Sequence, residues 1–247
     1  MEIENLTFKT EKEYKEFLDY LFSIRDIKYR DFNTKIVVPV DSEIIGIRTP
    51  ILKDIGKKIA KTSFENFLNL FEKLFIKKKV KYHEEKVLYG FIIGYSKINF
   101  QERLKRIDFF INIIDNWAVC DIVDSSFKFI NKNKEDFYTY LISKLSATNP
   151  WEQRFIFVIL LAYYVEEKYL KDIFKICEKI KSDEYYVNMA KAWLLSVCYV
   201  KFKNETYNFL EKTNLDDWTV NKSIQKVRES LRVTKKGKEK ILVLKRK

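Results

Sequence analysis

Only five glycines and three prolines occur in 247 residues. An all-β chain needs frequent tight turns, and those turns draw on glycine and proline, so this scarcity points to helices joined by short connections. The helix starts are written in capping chemistry. Thr10-Glu11-Lys12-Glu13, Thr62-Ser63-Phe64-Glu65, Asn99-Phe100-Gln101-Glu102 and Asn149-Pro150-Trp151-Glu152 each offer a side-chain acceptor followed by a glutamate at the third helical position. Thr49-Pro50 and Asn149-Pro150 place proline at a first helical position, where its missing N–H costs nothing.

Between these starts, apolar residues recur at intervals of three and four. Tyr14, Phe17, Leu18, Leu21 and Phe22 form one stripe, and Phe64, Phe67, Leu68, Phe71, Leu74 and Phe75 another. Further helices are expected at about 82–97, 101–114, 117–130, 134–145, 150–166, 168–180, 184–200, 204–212 and 218–231, about twelve in all. The fold this predicts is all-α, a right-handed superhelical solenoid of HEAT-like helical repeats filling one domain, 1–247, with the solenoid at about 10–232. Two stretches escape the helical period. Asp31 to Ile45, with the β-branched run Lys35-Ile36-Val37-Val38-Pro39-Val40, predicts an extended connection. The basic tail 234–247, seven Lys or Arg against one Glu, predicts a strand-like or frayed arm touching phosphates, or a solvated charged end. Gly90 and Gly94 form a G-x-x-x-G within a helix and predict close helix packing.

Composition narrows the chemistry. The net charge of +12 attracts polyanions, although a lysine- and isoleucine-rich composition also follows from an AT-rich genome. Cys120, Cys177 and Cys198 are widely spaced, with no C-x-x-C, and read as buried thiols in a reducing compartment. His83 is the single histidine, so a zinc site and a His-activated nucleophile both lack support, and no metal or cofactor is expected. The start of the chain is charged throughout, and the longest apolar run, 155–165, is too short for a bilayer. A soluble, cytoplasmic, monomeric protein without membrane contact is expected.

One constellation carries chemistry. Trp117 and Asp121 are four residues apart and share a helix face, and Arg154 and Trp193 follow after 37 and 39 residues. Those intervals approach the ~40 to 47 residue HEAT period, which puts all four on one concave wall of a stacked solenoid. Each residue also has a plain structural reading: the indoles in helix packing, Asp121 as a cap or lysine partner, Arg154 on a neighbouring helix end. Trp151, Trp218 and His83 read as structural.

Several segments together resemble the bacterial DNA alkylation repair family, the HEAT-like-repeat alkylpurine DNA glycosylases of the AlkD type. They are Gly46-Ile47-Arg48-Thr49-Pro50, Glu84-Glu85, Asn116-Trp117 through Asp121, Trp151-Glu152-Gln153-Arg154, Ala190-Lys191-Ala192-Trp193, and Lys222 through Arg232, in that order over about residues 30–232. The resemblance implies that Asp121 is the catalytic aspartate, that Trp117 and Trp193 contact the lesion-bearing deoxyribose, and that Arg154 holds the DNA backbone. It also implies DNA contacts by Arg48, Lys222, Arg228 and Arg232, with double-stranded DNA containing alkylated purines as the partner. Asn116 stands where some members carry a second tryptophan, and Arg48 where some carry glutamine. The chemistry expected is hydrolysis of the N-glycosidic bond of N3- or N7-alkylated purines. A non-catalytic HEAT-like module for damaged or branched DNA and a protein-binding scaffold are the competing classes.

Overall fold

The computed structural model describes residues 2–37 and 41–247. Fourteen α-helices and three short 3-10 turns account for the regular structure among the described residues. No strand forms there, and an isolated parallel bridge pairs Glu43 with Tyr82. The chain divides into two compact units, one ending at Phe129 and one spanning Ile130–Lys247. No helix among the described residues is long and apolar enough to cross a membrane.

The first unit contains α1 (Glu11–Ser23), α2 (Ile27–Ile36), α3 (Thr49–Thr62), α4 (Phe64–Ile76), α5 (His83–Tyr95), α6 (Phe100–Ile113) and α7 (Trp117–Ile122). Helix α5 is its centre, buried from His83 to Ile93 and packed against α3, α4, α6 and α7. Such a helix shows no polar stripe because neighbours cover every face. Thr10 closes a full capping box with Glu13 at the start of α1, and Asn99 accepts from Glu102 N–H at α6. At Thr62 the expected cap is absent: α3 runs through Thr62, and α4 begins at once with no side-chain cap on Ser63.

The second unit contains α8 (Lys134–Ser143), α9 (Pro150–Tyr163), α10 (Glu167–Lys179), α11 (Tyr185–Lys201), α12 (Lys203–Lys212), α13 (Asp217–Glu229) and α14 (Lys235–Leu242). Its centre is α11, which packs most extensively on α9 and α13. The cap at Asn149 accepts from Trp151 N–H.

Three further expectations need correction. The helix expected at about 117–130 ends at Ile122 and is followed by 3-10 turns at Asp124–Ser126 and Lys128–Lys132. The extended connection over Asp31 to Ile45 is helical up to Ile36, because Asp26 caps α2 through Tyr29 N–H and local hydrogen bonding outweighs the β-branched residues at the end; Val38, Pro39 and Val40 lie outside the described residues. The basic tail is neither strand-like nor frayed. Thr234 caps α14, Tyr199 Oη donates to the Gly237 carbonyl at 3.1 Å, and Arg246 donates to the carbonyls of Leu215 and Thr213 at 2.6 and 2.7 Å.

Candidate active site

Helix α7 is only six residues long, and its position is fixed from outside. Asn116 is fully buried and its Oδ1 accepts from Ala118 and Val119 N–H, both at 3.0 Å. The amide nitrogen therefore faces His83 Nδ1 at 3.2 Å and Asp115 Oδ1 at 2.8 Å. An amide N–H donates, so Nδ1 of His83 accepts and the ring proton sits on Nε2. Burial pushes the His83 pKa down, in keeping with a neutral imidazole. Asp115 Oδ2 takes Lys86 Nζ at 2.8 Å, in an ion pair whose two side chains are each 8% exposed, and Ser42 Oγ at 2.9 Å. This chain of bonds ties the start of α7 to the first turn of α5. Asn116, which departs from the tryptophan of some family members, is thus the residue that anchors the site.

Trp117 and Asp121 are both half-buried on α7. The Trp117 indole N–H donates to the Ile36 carbonyl at 3.0 Å, tying it to the last turn of α2. Beyond Asp121, residues 123–126 press against α5, where Gly90 and Gly94 make room. A Cβ on Gly90 would lie 2.7 Å from Val123 Cγ1, and one on Gly94 would lie 2.1 Å from Ser126 Oγ. The G-x-x-x-G is therefore a packing device, as read from the sequence, and it serves the segment following Asp121.

Asp124, one turn beyond Asp121, was not singled out from the sequence. Burial pushes its pKa up to about 6, the neighbouring Asp121 adds to the rise, and Ser125 N–H and Lys53 oppose it. Two carboxylates and Lys53 of α3 thus act on one another in the first unit. The D-x-x-D spacing was visible in the sequence; the desolvation of the second aspartate was not.

The other two residues of the constellation lie in the second unit. Arg154 is 4% exposed near the start of α9, donates through Nη1 to the Tyr186 carbonyl at 2.5 Å, and lies 5.9 Å from the centre of the Tyr186 ring. Trp193 is half-buried on α11, two turns beyond Tyr186. The structure therefore pairs Trp117 with Asp121 on one helix, and places Arg154 and Trp193 on adjacent helices, α9 and α11.

Of the further cationic candidates, Arg48 precedes α3, donates through Nε and Nη2 to Asp26 Oδ2 at 3.0 and 2.8 Å, and lies over the Tyr29 ring. Lys222 on α13 bonds Gln225 at 2.8 Å and lies over Trp218, while Arg228 and Arg232 are exposed. Among the described residues no group of three His, Cys, Asp or Glu side chains is placed to hold a metal ion.

Comparison with known families now bears on this arrangement. The sequence matches the family described as DNA alkylation repair enzyme over residues 12–227. The chain belongs to the DNA alkylation repair enzyme family. Its role is therefore in DNA repair, with DNA as the implied partner, and the match spans helices of both units. No curated protein and no solved structure matches the chain.

Proposed function

We propose that this member of the family is a DNA glycosylase that hydrolyses the N-glycosidic bond of cationic N3- or N7-alkylated purines in duplex DNA. The observation that carries the reading is Asp121 on α7, half-buried beside Trp117 on a helix locked in place by buried polar groups. A carboxylate held this way suits electrostatic work, since little reorganisation is needed when charge develops.

An alkylated purine already carries positive charge, so the base departs neutral and needs no general acid. The bond breaks toward an oxocarbenium-like sugar, the cation familiar from glycoside hydrolysis, and Asp121 stabilises that cation while orienting water for attack. Trp117 and Trp193 present electron-rich ring faces to the same cation, each worth ~0.5 to 2 kcal/mol when desolvated. Arg154 is assigned to the DNA backbone, where a guanidinium grips phosphate oxygens in pairs; at 4% exposure, that contact requires its guanidinium to be uncovered when DNA binds. Arg48, Lys222, Arg228 and Arg232 supply further phosphate contacts, which makes binding salt-dependent.

The test is single-turnover release of 7-methylguanine from methylated duplex under saturating enzyme. Asp121→Asn keeps the shape and loses the charge, so the rate falls by about 10² to 10³ while folding and DNA affinity persist. An unchanged rate removes Asp121 from the chemistry. No release by the wild-type protein moves the chain to the non-catalytic DNA-binding class.

A further inference from the structure

We propose that Tyr185, Trp218 and the cavity beside them form a stacking site for one unpaired nucleobase of a bound DNA strand, a reading that rests on DNA being the partner. Tyr185 opens α11 and Trp218 lies in the first turn of α13, and they are 53% and 40% exposed. Their rings meet edge to face, with centroids 5.5 Å apart. Single exposed aromatics need no explanation, but a contacting pair at a cavity mouth is the usual platform for a base, because every base has a π-face to stack.

The cavity has a volume of about 540 Å³ and is bounded by the end of α10, the start of α11 and the segment before α13. That lies within the ~300 to 1,000 Å³ typical of small-ligand sites. Its polar walls decide what fits. Glu178, Asp183 and Asp216 line it against Lys181 and Lys191, so a phosphate would meet three carboxylates. A neutral ring bearing both donors and acceptors meets no such penalty. Lys191 is 2% exposed, and its single hydrogen bond among the described residues runs to the Ile180 carbonyl at 2.7 Å, leaving its ammonium able to meet a ring acceptor. Asn188 is 8% exposed, spends its amide nitrogen on the Ser182 carbonyl at 2.7 Å, and has no partner for Oδ1. That oxygen is itself buried, so a ligand donor reaches it only if the Asn188 side chain turns toward the cavity.

A cation lies next to the aromatic pair. The Lys222 ammonium lies over the Trp218 ring, 5.5 Å from its centre, and must swing aside to a phosphate when a base stacks on that face. The aromatic run continues from Tyr185 to Tyr186 at 5.1 Å and from Tyr186 to Trp151 at 5.6 Å, reaching the start of α9 where Arg154 is held. Trp218 and Trp151, structural in the sequence reading, thereby acquire a path of π-faces leading away from Arg154.

The experiment measures binding of the full chain, by fluorescence anisotropy, to three oligonucleotides without alkyl lesions. These are a fully paired duplex, the same duplex with a one-nucleotide guanine bulge, and that bulge with its base replaced by tetrahydrofuran. The base-bearing bulge should bind about 10-fold tighter than the base-free bulge, the scale of one base stacked on an aromatic. Trp218→Ala and Tyr185→Ala should abolish that ratio and Trp218→Phe should keep most of it, with circular dichroism checking the fold of each. Equal affinity for the two bulges, or a ratio unchanged in Trp218→Ala, overturns the site while leaving the glycosylase reading intact. Failure to bind any of the three overturns the site as well, and the release assay then decides the glycosylase reading on its own.

Discussion

Helices α5 and α11 hold the same position, the centre of their unit, and their first two turns bury different charges. In α5 the buried charges include two carboxylates. Glu84 accepts from the backbone N–H groups of Ile45, Gly46 and Ile47 at 2.9, 2.7 and 3.2 Å. Glu85 accepts from Tyr14 Oη at 2.7 Å and from Lys81 and Tyr82 N–H at 3.0 and 2.8 Å. Anions in a first turn are favoured by the helix dipole, and each of these also fastens a loop. Gly46 sits in that loop at φ +100°, with no room for a Cβ against Arg30 and the Asp26 carbonyl. At the start of α11 the buried charges are instead cations, Lys191 on the helix and Arg154 beside it, bonded to the carbonyls of Ile180 and Tyr186.

The difference lies in how completely the polar groups are satisfied. Among the described residues, the buried side-chain polar atoms lacking a partner, including Asn188 Oδ1, Thr206 Oγ1 and Thr219 Oγ1, fall in the second unit. In the first unit a satisfied polar network holds α7, whereas in the second the start of the central helix carries an unmet buried acceptor on Asn188 and the exposed rings of Tyr185 and Trp218. A fully satisfied network gives positional precision, and an incomplete one leaves affinity for a partner.

The sharpest way to break this comparison is to remove one charge from each side. Glu84→Leu strands three backbone N–H groups in a buried place, so a loss of about 3 to 5 kcal/mol is expected in denaturant unfolding. A loss below about 1 kcal/mol would mean that the loop before α3 finds other partners. An intermediate effect is expected at Asp124, whose pKa is raised to about 6 from an ordinary value near 3.8. The native state then holds more protons than the unfolded chain between those values, so stability falls as pH rises from about 4 to 6 and the penalty is complete above. Asp124→Asn should stabilise the protein by roughly 2 kcal/mol at pH 7, with the gain vanishing below about pH 4. Thermal unfolding of both proteins across pH 4 to 8 measures it, and a pH-independent difference would refute the cause. Smallest is Lys191→Met, which strands one carbonyl but relieves a buried cation whose pKa burial pushes down. A change within about 1.5 kcal/mol is expected; a loss matching that of Glu84→Leu would erase the contrast.

How much of this was legible in the sequence depended on whether the signal was local. The all-α class followed from the near absence of glycine and proline, and the starts at Thr10, Asn99 and Asn149 followed from capping chemistry within three residues. The same local signals missed α2, where the β-branched end obscured the Asp26 cap, and α14, where charge obscured the docking of Arg246. At the candidate site the sequence supplied Trp117, Asp121, Arg154 and Trp193 through spacing and family resemblance, and it supplied the close packing at Gly90 and Gly94. Only the tertiary structure decided that Asn116 locks α7 to His83, that Asp124 is desolvated beside Asp121, that Arg154 is buried against Tyr186, and that Trp218 is exposed beside a cavity. Caps and periodicity act over three or four residues and are written in order along the chain. Desolvation and hydrogen-bond partnership depend on which distant segments meet, and the chain order does not encode that distance.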